Sequence, residues 1–564
     1  MSIIHINQIS TKILELFREH LDISDIGAND AQREDKIITR CLAAYAVYNT
    51  IECTPQESAH SVVDGGDDNG IDAIFYSAIN RRMIIVQSKW SKNGAGEPES
   101  AGVAKFCNGV RDLFNLNFDR FNSKIQKKQN EIEKALGEYD TKYSLIFIDT
   151  CTASNFAIHS ARLIDDLLNE MNNTGDDNAE KLVTFNRMNQ GKVHSSLALS
   201  AGNEPIDIEL GLTNWGLVSE PYKAYYGMVS GKEIEEWWKN YNTRLFEKNI
   251  RQVLGKTDVN DEIEKTLLDN PDLFWYFNNG ITIIADKIEK SIVGGGNRDL
   301  GSFKLSNIAI VNGAQTVSSI GRFGVANEGL KNLDSVKVNI RIVQLSETPE
   351  NFDKEITKCN NRQNRIENRD FVSQDPEQIR IKTELLIAGI DYNIMRSETF
   401  QYSEKSFDLV EATAALACAS GKTPLAVQAK GGIGKYFETL DKGIYKEIFN
   451  ASINGFYVYN SVKTVRKIES VLKEQIALLG RNNGRPYGIL MHGNRMIELK
   501  TIEELNLKLT LVNIDYMVDD AAIEGKVLDV ISRISTFLDA YYPESILGTL
   551  FKNSSKCVQM MLTI

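Results

Sequence analysis

Two strand-like segments only six residues apart constrain the fold of this chain more than any other feature. Gly70-Ile71-Asp72-Ala73-Ile74-Phe75-Tyr76 and Met83-Ile84-Ile85-Val86-Gln87-Ser88-Lys89-Trp90 are rich in β-branched and aromatic residues, and the stretch Ser77 to Arg82 between them is too short for anything but a hairpin. Side chains alternate along a strand, so Asp72, Ile74 and Tyr76 share one face, and Ile85, Gln87 and Lys89 share a face of the second strand. If the loop closes symmetrically, Ser77 pairs with Arg82 and Asp72 stands opposite Gln87, with the two Cβ atoms roughly 5 Å apart. Three polar groups then converge at the open end of an apolar hairpin.

An acid, an amide oxygen and a lysine at one locus suit a hard cation and a phosphate. Mg²⁺ takes oxygen ligands and keeps several waters, so Asp72, the Gln87 amide and the backbone carbonyl of Ser88 would suffice, with Mn²⁺ as an expected substitute. Lys89 would orient a water or stabilise charge on an attacked phosphate. A further carboxylate is expected from the preceding helix. Glu34 lies at helical spacing from Ile38, Cys41, Tyr45 and Tyr48, on the stripe that should face the core, where an acid needs a partner. Asp35 has nearly the same claim through Ile38, Leu42 and Ala46. The plainer alternatives are that Asp72 starts a strand and that Gln87 and Lys89 are solvated on an edge strand.

The 564 residues exceed what one core accommodates, about 250 to 300, so two or three domains are expected. Helical periodicity at 8–21 and 31–49, the hairpin, helices near 101–116 and 121–137, a buried-type strand at 143–148, a helix at 154–172 and a strand at 181–185 describe an α/β core of about 200 residues. A boundary is placed at Ser200 to Pro205. Beyond it, Gly231 to Leu254 reads as helix, and Gly280 to Ala285 and Val336 to Leu345 as strands. From about 405 the chain reads as mainly helical, with a small strand region around Tyr487 to Leu499. The expected partition is 1–200, 205–400 and 401–564.

Seven cysteines without a CxxC pair argue against a disulfide framework or a thiolate zinc site and fit a reducing cytoplasm. No apolar run approaches the roughly 20 residues of a membrane span, and the charged start lacks a signal-peptide core. A formal charge of -12 leaves nucleic acid to be attracted by a local patch alone. Lys124, Lys127, Lys128 and Lys134, after Arg111 and Arg120, are the candidates, although a solvated helix face is the better explanation of any single lysine.

The second half carries amide-rich motifs: Leu245-Phe246-Glu247-Lys248-Asn249-Ile250-Arg251, Phe277-Asn278-Asn279-Gly280-Ile281-Thr282-Ile283, Ile310-Val311-Asn312-Gly313-Ala314-Gln315-Thr316 and Cys359-Asn360-Asn361-Arg362-Gln363-Asn364. Asn-Gly pairs make tight turns. Amide and guanidinium groups together also suit phosphate, sugar or base edges, so a nucleotide or nucleic-acid pocket and a buried structural network are both open. Gly421-Lys422-Thr423 and Gly434-Lys435-Tyr436 lack the residues of a phosphate loop, and His492 has no partner at catalytic spacing.

These motifs carry two resemblances. Gly70-Ile71-Asp72 followed by Gln87-Ser88-Lys89 is similar to the Mrr-like branch of the PD-(D/E)XK nucleases, in which glutamine often replaces the second acid. That resemblance implies a mixed sheet flanked by helices, with Asp72 and Gln87 as metal ligands, Lys89 as the catalytic lysine and Glu34 as the helix acid. The four later motifs resemble the AIPR (abortive infection phage resistance) family over roughly 205–520, implying a larger α+β domain that ends in a helical region. A more distant similarity to the ParB/sulfiredoxin superfamily runs from Asn312 to Leu345.

Together the expectations are an α/β chain acting as an Mg²⁺-dependent DNA endonuclease in anti-phage defence, by restriction or abortive infection. Arg251, Asn279, Gln315 and Gln363 are expected to bind a ligand or nucleic acid. One site cuts one strand, so a homodimer or larger is expected, along with a defence-operon partner protein. The alternative is a sensor with a degenerate, non-cleaving nuclease core.

Overall fold

The computed structural model describes residues 2–51, 53–78, 80–138, 140–175, 180–201, 205–246, 258–291, 298–326, 332–349, 352–363, 372–395, 400–479, 484–507, 509 and 519–564. The chain forms two compact units. One comprises Met1–Val47, Pro55–Gly191 and Ile366–Ile564, and the other Tyr48–Thr54 and Lys192–Arg365. The class is mixed α/β, with a four-stranded sheet, a seven-stranded sheet and a helical C-terminal region.

The first unit opens with α1 (Ser2–Phe17) and α2 (Arg33–Tyr48), followed by β1 (Ala73–Ser77) and β2 (Arg82–Lys89). Next come α3 (Ser100–Phe114), β3 (Lys142–Asp149), α4 (Ile158–Asn172) and β4 (Val183–Met188). The strands lie in the order β1-β2-β3-β4, with β1 antiparallel to β2 and the other two pairs parallel. The hairpin closes in the expected register: Ser77 pairs with Arg82 and Ala73 with Val86. Met83 to Ser88 are buried without interruption, as they must be in a central strand covered on both faces. Met83 and Ile85 pack with Val103, Phe106 and Val110 of α3.

Two local expectations in this unit need correction. The helix expected over 121–137 is two helices, Ser123–Lys127 and Gln129–Gly137, because Lys128 leaves helical geometry between them. The strand region expected around Tyr487 to Leu499 is helical, formed by α11 (Gly484–His492) and α12 (Asn494–Leu505). Tyr487, Ile489 and Leu490 on one helix and Met496, Ile497 and Leu499 on the other are buried, and a helix covered on all sides shows no clean 3.6-residue stripe.

The remaining helices of this region include α8 (Leu409–Ala419), α9 (Thr423–Gly431), α10 (Gly455–Leu479) and α13 (Asp520–Tyr541), packed around one apolar core. This bundle belongs to the same compact unit as the first sheet. Tyr487 donates to Glu133 at 2.6 Å, His492 Nε2 lies 3.1 Å from Phe114 O, and Asn115 Oδ1 accepts from Leu547 N at 2.8 Å.

The second unit is built on a sheet of order β10-β7-β11-β6-β5-β9-β8. Its strands are β5 (Ile208–Val218), β6 (Ala224–Ser230), β7 (Ile281–Ala285), β8 (Lys287–Lys290), β9 (Leu300–Ser306), β10 (Ala309–Asn312) and β11 (Lys337–Gln344). One face is covered by α5 (Gly231–Tyr241) and α6 (Ala314–Ala326), whose Ile234, Trp237, Trp238, Val317 and Ile320 complete the core. The helix expected over 231–254 stops at Tyr241, where Asn242 takes φ 50°, and a 3-10 turn runs on to Phe246.

Candidate metal centre

The loop from Asp64 to Gly70 precedes β1 and turns back on itself through positive φ at Asp67 (56°), Asn69 (53°) and Gly70 (78°). Gly70 has little alternative, because a Cβ there would sit 2.8 Å from Phe106 N. Gly109 on α3 is needed for the same contact, since its Cβ would meet Asn69 O at 2.1 Å. The loop is thus clamped on α3, and this placement gathers three carboxylates. One oxygen each of Asp64, Asp68 and Asp72 lies within 4.8 Å of the other two.

Each acid is held by its own partners. Asp68 Oδ1 accepts from Gly70 N and from Lys105 Nζ, both at 2.8 Å. Asp64 Oδ2 accepts from Arg40 Nε at 2.9 Å, and the rest of that guanidinium forks onto Asp25 at 2.8 and 2.7 Å. Burial alone would depress the Arg40 guanidinium, but the Asp25 and Asp64 carboxylates outweigh it and raise it. In turn the Arg40 bond holds Asp25 well below the usual carboxylate range.

Asp72 is buried, with 3% of its surface exposed. Its Oδ2 accepts from Ser88 N at 2.6 Å and lies 3.0 Å from Ser88 Oγ, while that hydroxyl also reaches Thr39 O on α2 at 3.1 Å. Desolvation, reinforced by Asp64, pushes the Asp72 carboxyl up to about 7, against the pull of Lys89. In the amide orientation that satisfies both of its side-chain atoms, Gln87 donates to Gly102 O at 2.8 Å and accepts from Lys89 Nζ at 3.1 Å. Lys89 therefore stands at the end of β2 with its ammonium on Gln87 and its field on Asp72.

Clustered oxygens from three acids suit a hard divalent cation, and close carboxylates in a buried setting favour one between them. The expected hairpin residues Asp72, Gln87, Ser88 and Lys89 are brought together. Ser88 contributes its N–H and hydroxyl as donors to Asp72. Glu34 is not gathered here. Its carboxylate is half exposed and paired with Arg18 at 2.6 Å, so the expectation that it faces the core is corrected. It lies in the first turn of α2, beyond the buried Ile37, Ile38 and Cys41. Asp35 pairs with Lys92 instead.

Asp64 and Asp68 went unread as site residues. Their signal was present: acids at a spacing of four, continuing to Asp72, in a Gly-rich loop. The basic stretch is largely neutralised at home. Arg111 pairs with Glu170, Arg120 with Asp112, Lys128 with Glu131 and Lys134 with Glu138, and Lys124 lies 3.2 Å from Asp25.

In the second unit, the two Asn-Gly motifs meet. Asn278 Nδ2 donates to Thr316 Oγ1 at 3.0 Å, and its Oδ1 accepts from Gly280 N at 2.9 Å, an Asx turn that lets Gly280 take φ 77°. Asn278 thus serves the turn. Asn279 beside it is exposed, and Gln315 is half-buried in the first turn of α6. Arg251 lies outside the described residues. Gln363 ends α7 (Phe352–Gln363), and its side chain is likewise outside the described residues.

Residues 246–545 match the family described as AIPR protein. The chain belongs to the AIPR family. That family takes its name from abortive-infection phage resistance. The matched residues begin after the Asp64–Lys89 centre, so the centre lies outside the stretch that defines membership. No curated protein and no solved structure matches the chain. Among the described residues no helix is long and apolar enough to cross a membrane, and Cys41, Cys107, Cys151, Cys418 and Cys557 are buried thiols.

Proposed function

We propose that this AIPR protein is a divalent-metal-dependent DNA endonuclease of anti-phage defence, with its N-terminal domain related to the Mrr-like PD-(D/E)XK nucleases. The observation that carries the reading is the meeting of three carboxylates with the Gln87-Ser88-Lys89 strand end. Asp64, Asp68 and Asp72 would hold the ion, for which Mg²⁺ is the first choice and Mn²⁺ the substitute. A bound Mg²⁺ would supply positive charge against the phosphate under attack.

The chain's own groups do the rest. Ser88 fixes the Asp72 carboxylate through its N–H and hydroxyl. Lys89 offers an ammonium N–H to a non-bridging phosphate oxygen, where charge builds up, and Gln87 holds that ammonium in place. The substrate is DNA, the active form a homodimer or larger so that both strands are cut, and the setting cytoplasmic, with a defence-operon protein as partner. Asn279 and Gln315, with Arg251 and Gln363, are proposed to bind a ligand or nucleic acid that targets or licenses cutting.

One observation favours a second reading. Arg40 on Asp64 and Lys105 on Asp68 are the partners a closed, non-cleaving salt-bridge network would have. Supercoiled plasmid incubated with the full chain, with Mg²⁺ or with EDTA, separates the two. Nicked or linear product only with Mg²⁺, and none from Asp72→Asn, is expected. Intact plasmid with Mg²⁺ and with Mn²⁺ would favour the closed network.

A further inference from the structure

A cleft of about 580 Å³ reaches the loop of the acid centre at Asn69. One wall is the stripe of α3 that runs on from Lys105: Asn108, Arg111 and, just past the helix, Asn115, spaced by three and four residues so that they share a face. Asn69, Asn117, Arg120, Arg485 and Pro543 to Ser545 line the rest of it, all within the same compact unit. The volume falls within the roughly 300 to 1,000 Å³ of sites that enclose small ligands.

What lines the cleft is polar and incompletely used. Arg111 commits only Nε, to Glu170, and Arg120 only Nη1, to Asp112. Arg485 uses Nε and Nη2, on Asp539 and the carbonyls of Leu538 and Tyr542. Three guanidiniums therefore keep N–H groups without a partner among the described residues. The buried acid in the wall, Asp112, already takes three hydrogen bonds, from Asn69, Asn117 and Arg120. Asn115 and Asn117 each use one side-chain atom and leave the other, and Asn108 makes no side-chain hydrogen bond among the described residues. Spare guanidinium N–H groups suit a phosphate, and spare amides offer a donor and an acceptor in one plane, the pattern of a base edge.

We propose that this cleft is a binding site for a free nucleotide, with phosphate on Arg111, Arg120 and Arg485 and the base edge on Asn108 and its neighbouring amides. Asn69 lies between Asp68 and Gly70, so the ligand touches the loop that carries the acid centre. The binding stands on the cleft alone and holds whether or not the acids cut DNA.

Calorimetric titration of the full chain in EDTA with ATP, GTP, CTP and UTP tests it, with inorganic phosphate and an oligothymidylate as further probes. At least one nucleotide is expected to bind in the micromolar range, with phosphate at least tenfold weaker. Arg111→Gln and Arg120→Gln should each weaken that nucleotide about tenfold or more, roughly the loss of one charged contact. Each also breaks an ion pair, so Asn108→Ala, which removes no hydrogen bond of the fold, is the second variant and should weaken binding several-fold. Millimolar or absent binding of all four nucleotides overturns the inference. So does unchanged affinity in Asn108→Ala and Arg111→Gln, phosphate binding as tightly as the best nucleotide, or oligothymidylate binding where mononucleotides fail.

Discussion

The acid centre beside the first sheet and the polar cluster inside the C-terminal helices both hold charge away from water, and they do so in opposite ways. In the helical cluster, Glu498 is fully buried and accepts from Arg495 Nη1 at 2.5 Å and Cys418 Sγ at 3.3 Å, while Lys430 donates to Asn494 Oδ1 at 2.9 Å and Met491 O at 3.2 Å. Burial lifts Glu498 to about 6 and drops Lys430 to about 7. At the acid centre one oxygen each of three carboxylates lies within 4.8 Å of the other two, with Arg40 on Asp64 and Lys105 on Asp68. The buried acid of the helical cluster meets its base directly. A cation site gathers acids beyond that pairing.

The largest effects should separate the two regions by activity. Asp72→Asn and Lys89→Ala are each expected to lower plasmid cleavage by about 10² to 10⁴, the range of lost catalytic groups, with circular dichroism unchanged. Glu34→Gln should leave cleavage within about twofold, because its carboxylate is tied to Arg18 at the surface. Cleavage lost in Glu34→Gln and kept in Asp72→Asn would reverse the assignment of acids.

Stability should divide them next. Removing one partner of a buried ion pair costs about 3 to 5 kcal/mol, so Arg40→Leu and Arg495→Leu should both melt well below the wild type. Mg²⁺ should restore part of the loss in Arg40→Leu, by binding the folded state, and none in Arg495→Leu. Equal rescue of both breaks the comparison.

The pH dependence should sharpen it further. Asp72 has a folded value raised to about 7, so its stabilising contribution is complete below about pH 4 and is lost as pH rises through 7. In EDTA, Asp72→Asn should gain on the wild type across that window, and Mg²⁺ should remove the gain. Lys430 has a folded value lowered to about 7, so its contribution is present above about pH 10 and lost as pH falls through 7. Lys430→Met should gain on the wild type at neutral pH, with or without Mg²⁺. Denaturant melts at several pH values check both.

The hairpin was legible because a strand period of two and a six-residue connection leave one register, and Ser77 with Arg82 obeys it. Asp72, Gln87, Ser88 and Lys89 came together for that reason. Glu34 was misplaced because a helical stripe tells which side faces the core and not where along the helix the core ends. Asp64 and Asp68 were hidden because their loop is shaped by positive φ and by contact with Gly109 on α3, far away in sequence. The helices over Tyr487 to Leu499 were hidden by their burial on all sides. The cleft at Asn69 was invisible because its walls, α3 and the residues around Arg485 and Pro543, lie hundreds of positions apart.

The smallest expected effect is at Gln87. Gln87→Glu should lower the Mg²⁺ concentration at half-maximal cleavage by a few-fold, since a carboxylate beside Asp72 adds charge for the cation. An unchanged Mg²⁺ dependence would place Gln87 as the holder of Lys89 alone.

Titration calorimetry with Mg²⁺ and Mn²⁺, on the wild type and on Asp64→Asn, Asp68→Asn and Asp72→Asn, decides whether the three acids hold a cation. Saturable binding to the wild type is expected, weakened at least tenfold in each variant, with melting temperature rising on metal addition only where binding is seen. Absence of binding to the wild type, or equal binding to all four proteins, would contradict a cation site there.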